Sequence, residues 1–231
     1  RLRMLKAMTM ADLKKTTDPD AGLDIVIIGG GATGVELAAE LREASKVLGN
    51  YGLHRLQPDA DVRLTLLESA PRILAPLSEK VSGAATALLG ERHVRVVTDC
   101  RVAGIEANKV VDDQGNEYRA DLCVWAAGIK APDLLATLGL TVTRNGQLDV
   151  DGCLVVKGAA EVYALGDCAA CAGADGKLVP PRAQTAHQQA DYLVDAFMRR
   201  EQGRAVSSKL YVYRDHGSLV SLGTTSSVGS L

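Results

Sequence analysis

Residues Leu23–Leu41, LDIVIIGGGATGVELAAEL, place a near-continuous apolar run before a glycine-rich turn and then a helical repeat. An unbroken apolar run, rather than an alternating one, is what a parallel strand covered on both faces requires. Beyond the turn, Leu37, Leu41, Ala44 and Leu48 fall on one stripe of a helix. Gly29, Gly31 and Gly34 stand between strand and helix in the spacing GxGxxG. The first glycine of such a turn permits the bend, the second lets backbone approach a pyrophosphate, and the third lets helix and strand pack closely. The free N–H groups and positive dipole of the helix start suit phosphate. The stretch predicts a dinucleotide-binding α/β unit.

Working outward, Val62–Leu67 predicts a second strand ending in Glu68. A carboxylate there can accept hydrogen bonds from the adenosine ribose and disfavours a 2′-phosphate, so NAD(H) is expected over NADP(H). Arg72 is the nearby cation that weighs against that preference. A helix around 78–91 and a strand at 94–98 complete a βαβαβ unit. Residues 101–119 break into short β segments about the turn Asp113-Gln114-Gly115-Asn116. Leu122–Gly128, LCVWAAG, predicts a further buried strand, with Trp125 as core and pocket wall. A short helix is expected near 132–138. At the front of the chain, Leu2, Leu5, Met8 and Leu13 keep helical spacing until TTDPDAG breaks it. Glu36, placed in the first turn of the glycine-loop helix, is favoured there by the helix dipole alone.

Val162–Ala190, VYALGDCAACAGADGKLVPPRAQTAHQQA, points to a second cofactor. A short apolar strand ending in Gly166-Asp167 would put an acid where open α/β sheets bind ligands, and the glycine would admit close approach. Gln184, His187 and Gln188 share one face of the following helix, beside the small Ala183, Ala186 and Ala190. A helical histidine is also an ordinary structural residue. Cys168-x-x-Cys171 raises a redox or metal reading, but a lone CxxC lacks a second ligand pair at zinc spacing, and no metal is expected. The tail predicts two strands, at 211–213 and 219–223.

The 231 residues suffice for one large domain or two small ones, and a net charge of −2 gives no case for nucleic acid. With 47% hydrophobic and 23% charged residues the composition fits a soluble globular protein, and no apolar run approaches a membrane span. Five scattered cysteines favour a reducing, cytoplasmic setting over a disulfide framework. The first residue is Arg, as in a chain that begins partway through a longer protein.

The series IVIIGGGATGVELAAEL, LLESAPRIL, VWAAGI, YALGDCA and PPRAQTAHQQA resembles the bacterial type II NADH dehydrogenases. These are single-subunit NADH:quinone oxidoreductases with two Rossmann-type domains, and the likeness runs through residues 22–223. It implies an α/β fold in which a Rossmann-type NAD-binding domain is inserted in a partial second Rossmann-type, FAD-binding domain. The expected boundaries are 22–135 for the NAD(H) domain, 1–21 with 136–203 for the FAD domain, and 204–231 for the start of a C-terminal β region. The resemblance implies that Gly29, Gly31 and Gly34 hold the NADH pyrophosphate, Glu68 its ribose, and Gly128 approaches the nicotinamide. It implies Gly166 and Asp167 at the FAD ribityl–pyrophosphate, and Gln184, His187 and Gln188 by the isoalloxazine and quinone. Glu36 would sit near nicotinamide and flavin, and Glu36 and His187 are the candidates for proton handling. The family's amino-terminal FAD fingerprint and carboxy-terminal membrane helices have no counterpart in these residues. Implied partners are a quinone and, for the intact protein, peripheral contact with the cytoplasmic side of the bacterial inner membrane, with a homodimer left open. The rival readings are a sulfide:quinone or ferredoxin-type reductase and a non-catalytic NAD-binding module.

Overall fold

All six residues of β1 (Leu23–Ile28) are buried, and the five apolar side chains divide between two cores. The computed structural model describes residues 2–204, 209–224 and 226–230. Leu23, Ile25 and Ile27 face one core, while Val26 and Ile28 face the other, the two-residue period of a strand covered on both sides. β1 pairs in parallel with β2 (Val62–Leu67) and with β7 (Leu122–Trp125), and β2 pairs with β3 (Val94–Val97), giving the order β3-β2-β1-β7.

On the first face lie α1 (Leu2–Lys14), α2 (Ala32–Gly49) and α4 (Glu79–Glu91), through Met4, Met8, Val35, Ala38, Ala39, Ala85 and Leu89. The second face is covered by the antiparallel meander β4 (Val102–Ile105), β5 (Lys109–Asp112) and β6 (Glu117–Arg119), through Val110 and Ala120. This is a Rossmann-type α/β fold. A one-turn helix, α3 (Pro58–Asp61), precedes β2 and has no counterpart in the sequence expectation.

The chain divides into two compact units, one running to Gly128 and resuming at Gly217, the other spanning Ile129–His216. Three expected boundaries therefore shift: the first unit's sheet segment ends at Gly128 instead of 135, and both ends of the chain join that unit. Helix α1 was expected beside the second domain, yet Met4, Met8 and Ala11 belong to the core of the first unit. The tail is split: the hairpin β10 (Ser218–Ser221) and β11 (Ser227–Ser230) sends Val220, Leu222 and Val228 into that same core. Glu36 and Glu43 on α2 hold it there, accepting the backbone N–H of Ser221 at 3.0 Å and of Thr224 at 3.0 Å.

The second unit is built around Leu148, Val150, Leu154, Val156, Leu193 and Tyr211. It contains the short parallel pair β8 (Leu148–Asp149) and β9 (Ala169–Ala170) and helix α5 (Ala183–Glu201). The strand expected before Gly166 is replaced by a single bridge from Tyr163 to Val155 and a 3₁₀ turn at Gly166–Cys168. Val162 and Leu165 are 39% and 38% exposed, so these residues are not the covered strand their composition suggests. Residues 211–213 form no strand either; the Tyr211 ring packs against Tyr192 of α5, with centroids 5.9 Å apart.

At the amino-terminal end of the sheet, Arg42 of α2 is 1% exposed and donates to four backbone carbonyls. These are Arg92 at 2.9 Å, Pro58 at 2.6 Å, Val62 at 2.8 Å and His93 at 2.9 Å, so one side chain joins α2, α3, β2 and the end of α4. Burial lowers its basicity, and the charge of Asp59 acts in the opposite direction. Nearby, Asp24 holds Arg63 through a two-pronged pair at 2.7 and 2.8 Å and Arg119 at 3.1 Å. Removing the Arg42 donors strands buried acceptors, each costing roughly 1–3 kcal/mol. Arg42→Met should therefore lower unfolding free energy by about 3 kcal/mol or more, seen as a fall in urea midpoint at unchanged slope. Arg42→Lys should recover less than half of that, because an ammonium cannot reach all four carbonyls.

Candidate functional site

The carboxyl ends of β1, β2 and β7 open onto a cavity of about 420 Å³ lined by Gly29, Glu68, Cys100, Arg101, Trp125 and Ala127, among others. The glycine turn forms its wall. Gly29 has φ +113°, and a Cβ there would lie 2.7 Å from the backbone nitrogen of Ala127. A Cβ on Gly34 would lie 1.8 Å from the Gly29 carbonyl oxygen, so α2 approaches the end of β1 only because this position is bare. Gly31 differs: it is exposed, caps α2, and has no protein atom within 4 Å of a Cβ position. No side chain caps the helix at Gly31. The start of α2 is thus uncapped by any side chain and unobstructed at Gly31.

Gly30 is the residue the fingerprint overlooks. A Cβ there would meet Ile73 Cγ2 at 2.8 Å and Glu68 Cβ at 2.9 Å. Its N–H donates to Glu68 Oε2 at 2.5 Å, and its carbonyl accepts from Leu74 N–H at 2.8 Å. The run of three glycines was the available signal. Glu68 also accepts from Ala70 N–H at 2.7 Å and from the Ser69 hydroxyl at 3.1 Å through Oε1. Its carboxylate therefore fastens the glycine turn to the end of β2, with lone pairs left on both oxygens. Arg72 donates to the carbonyls of Leu77 at 2.8 Å and Ala75 at 2.6 Å, so it braces its own loop instead of standing free for a 2′-phosphate.

Two expectations on this side change. Trp125 is 60% exposed, because β7 is the last strand of the sheet; it is a wall and not core. Its indole N–H donates to the Ala127 carbonyl at 2.7 Å, which fixes the ring at the cavity edge. Glu36 lies in the second turn of α2, not the first, and its carboxylate bonds to the Ser221 amide. Gly128 has φ +76°, a left-handed turn at the end of β7. Cys100 is 3% exposed, within 3.6 Å of the Tyr118 hydroxyl, and burial pushes its thiol up.

In the second unit, Gly166 takes φ +64° and Asp167 is exposed in the turn, facing a cavity of about 130 Å³ with Ile129, Gln147 and Pro181. The Gly166 N–H donates to Gln189 Oε1 at 2.7 Å. Gln189 is 1% exposed and was not singled out by the sequence; its signal is the buried stripe Thr185, Gln189, Leu193 and Ala196 on α5. Gln184 and Gln188 bond instead to the chain itself. Gln188 donates to the Arg214 carbonyl at 2.8 Å and accepts its N–H at 2.9 Å, while Gln184 accepts the His216 N–H at 3.0 Å. His187 is exposed and 3.5 Å from Asp191. Cys171 is buried with a thiol pushed up by burial, and Cys168 and Cys171 are both free. Among the described residues no group of three His, Cys, Asp or Glu is arranged to hold a metal ion. The candidate residues thus fall into one set in each unit: Gly29, Gly31, Gly34, Glu36, Glu68 and Gly128, and Gly166, Asp167, Gln184, His187 and Gln188.

Comparison with known proteins adds the lineage. The chain is 36% identical over 230 residues to a type II NADH:quinone oxidoreductase of Haemophilus influenzae, covering 99% of this chain and 51% of that protein. It is 32% identical over 227 residues to the demethylphylloquinone reductase NdbB of Synechocystis sp., covering 97% of this chain and 51% of that one. It thus spans about half the length of these relatives. Its fold matches that of NDH2 from Plasmodium falciparum in complex with NADH with a TM-score of 0.85 at 17% identity, covering 99% of this chain and 62% of that one. Residues 4–190 match the family described as pyridine nucleotide-disulphide oxidoreductase, and the chain belongs to that family.

Proposed function

We propose that the protein to which this chain belongs is an NADH:quinone oxidoreductase, in which bound FAD takes hydride from NADH and delivers two electrons to a quinone. The observation that carries the nucleotide half is the opening at Gly31: a helix start that no side chain caps, with no protein atom within 4 Å of where a Cβ would stand. Gly29, Gly31 and Gly34 would receive the pyrophosphate, Glu68 would offer its remaining lone pairs to the ribose, and Gly128 would approach the nicotinamide. In the second unit Gly166 and Asp167 would meet the flavin's ribityl–pyrophosphate, and Gln184, His187 and Gln188 would lie toward the ring and the quinone. The names of the two relatives, a NADH:quinone oxidoreductase and a quinone reductase, support the same reading.

The protein's own contribution is positioning and proton supply. Glu36 uses one oxygen on Ser221, leaving the other as a proton acceptor, and His187 is exposed to solvent. A quinone carried in lipid would be met from a peripheral seat on the cytoplasmic face of a bacterial inner membrane. No helix of the described residues is long and apolar enough to cross a membrane. Flotation of the full-length protein with lipid vesicles and light scattering test that seat and a homodimeric state.

Anaerobic titration of the full-length protein with NADH should bleach the flavin absorbance, and a short-chain quinone should restore it. A flavin that stays oxidised under excess NADH would defeat the proposal. Gly31→Ala, whose methyl meets no protein atom, should leave the melting temperature unchanged and weaken NADH binding at least tenfold. Gly34→Ala should destabilise the fold itself, because its Cβ would overlap the Gly29 carbonyl. Equal melting temperatures for the two variants would contradict the division of labour. Glu36→Gln keeps an acceptor for Ser221 but removes the charge, so stopped-flow should show quinone reduction slowed more than flavin reduction.

A further inference from the structure

Residues 209–216 are attached to α5 by side chains spaced four apart on one helical face, Gln184, Gln188 and Tyr192. The pairing runs antiparallel. The Tyr192 hydroxyl donates to the Lys209 carbonyl at 3.0 Å, Gln188 makes its reciprocal pair with Arg214, and Gln184 accepts from His216. A glutamine amide that both donates to and accepts from one residue's backbone imitates a strand partner. Asp215 adds contacts to Arg182 at 3.4 Å and to the Gln184 amide at 3.3 Å. Lower down, Tyr211 is 7% exposed and donates its N–H to the Gly152 carbonyl at 2.7 Å, anchoring one end in the core. Arg214, Asp215 and His216 are exposed, so the upper end is held by polar contacts at the surface and not by burial.

We propose that residues 209–216 form a releasable strap whose docking keeps the Gln184 and Gln188 amides from a carbonyl ligand. Gln184, Gln188 and Tyr192 are then positioning residues for the docked state. The Gln188 Nε2 that would serve a quinone oxygen is the atom donating to the Arg214 carbonyl. A ligand that needs the open state binds with an apparent affinity reduced by the open fraction. Naming that ligand a quinone rests on the function proposed above; the docking of the strap does not.

The test loosens the strap without substituting the glutamines. In the full-length protein, Tyr192→Phe removes the bond to Lys209, and Asp215→Ala removes the contacts to Arg182 and Gln184. One neutral hydrogen bond corresponds to about a fivefold change in an equilibrium. Hydrogen exchange at the Arg214 and His216 amides should accelerate by about that factor in each variant. The KM for a short-chain ubiquinone should fall similarly, with kcat and NADH:ferricyanide activity unchanged. Saturating ubiquinone added to the unsubstituted protein should also speed exchange at both amides, a reading that needs no variant. Equal exchange in variant and unsubstituted protein would refute docking. Faster exchange with KM unchanged or raised would refute the competition. Failure of the unsubstituted protein to reduce any quinone would defeat the functional reading instead, and exchange in the variants would still decide the strap.

Discussion

The contact on which the first unit depends is the approach of Gly34 to the carbonyl of Gly29. That oxygen lies 1.8 Å from where a Cβ would stand, so any side chain there would push α2 off the end of β1. With α2 seated, its start stands uncapped by any side chain, Glu68 reaches the Gly30 amide, and Leu74 closes on the Gly30 carbonyl. Three consecutive glycines thus do three jobs. Gly29 turns the chain, Gly30 is gripped by the loop after β2, and Gly31 leaves room.

The two ends of the parallel sheet are built differently. At the amino-terminal end, Arg42 donates to four carbonyls and Asp24 holds two arginines, so these polar groups are engaged by the fold. At the carboxyl-terminal end, Glu68 keeps lone pairs, Trp125 stands at the edge, and Gly31 is bare. Open α/β sheets bind ligands outside the carboxyl ends of their strands, and here the distribution of satisfied and unsatisfied groups follows that rule.

What the sequence made legible is what local pattern determines. The apolar run of β1, the GxGxxG turn in its strand–helix context, and the acid ending β2 all follow from residues close in the chain. What escaped it depends on distant partners. Nothing local says that Val220 and Leu222 return to the core of α2, or that LCVW becomes a sheet edge with its tryptophan exposed. The glutamines illustrate the limit best. Their spacing revealed a shared face, but a shared face does not say whether the amides meet a ligand or, as with Arg214 and His216, the chain's own backbone. Gln189 was passed over for the converse reason: polar residues are seldom fully buried, and only the contact with Gly166 explains this one.

The discontinuity of the first unit bears on how the molecule is made. Synthesis proceeds from the amino terminus, so the four-stranded sheet and its helices emerge well before the hairpin carrying Val220, Leu222 and Val228. Until residues 129–216 have followed, the α2–α4 face lacks the part of its covering that the hairpin supplies. The nascent chain therefore exposes an apolar groove for seconds, at roughly 5–20 residues per second of elongation. The backbone that Glu36 and Glu43 hold is translated 185 and 181 residues after them, so a helix made early waits for these contacts.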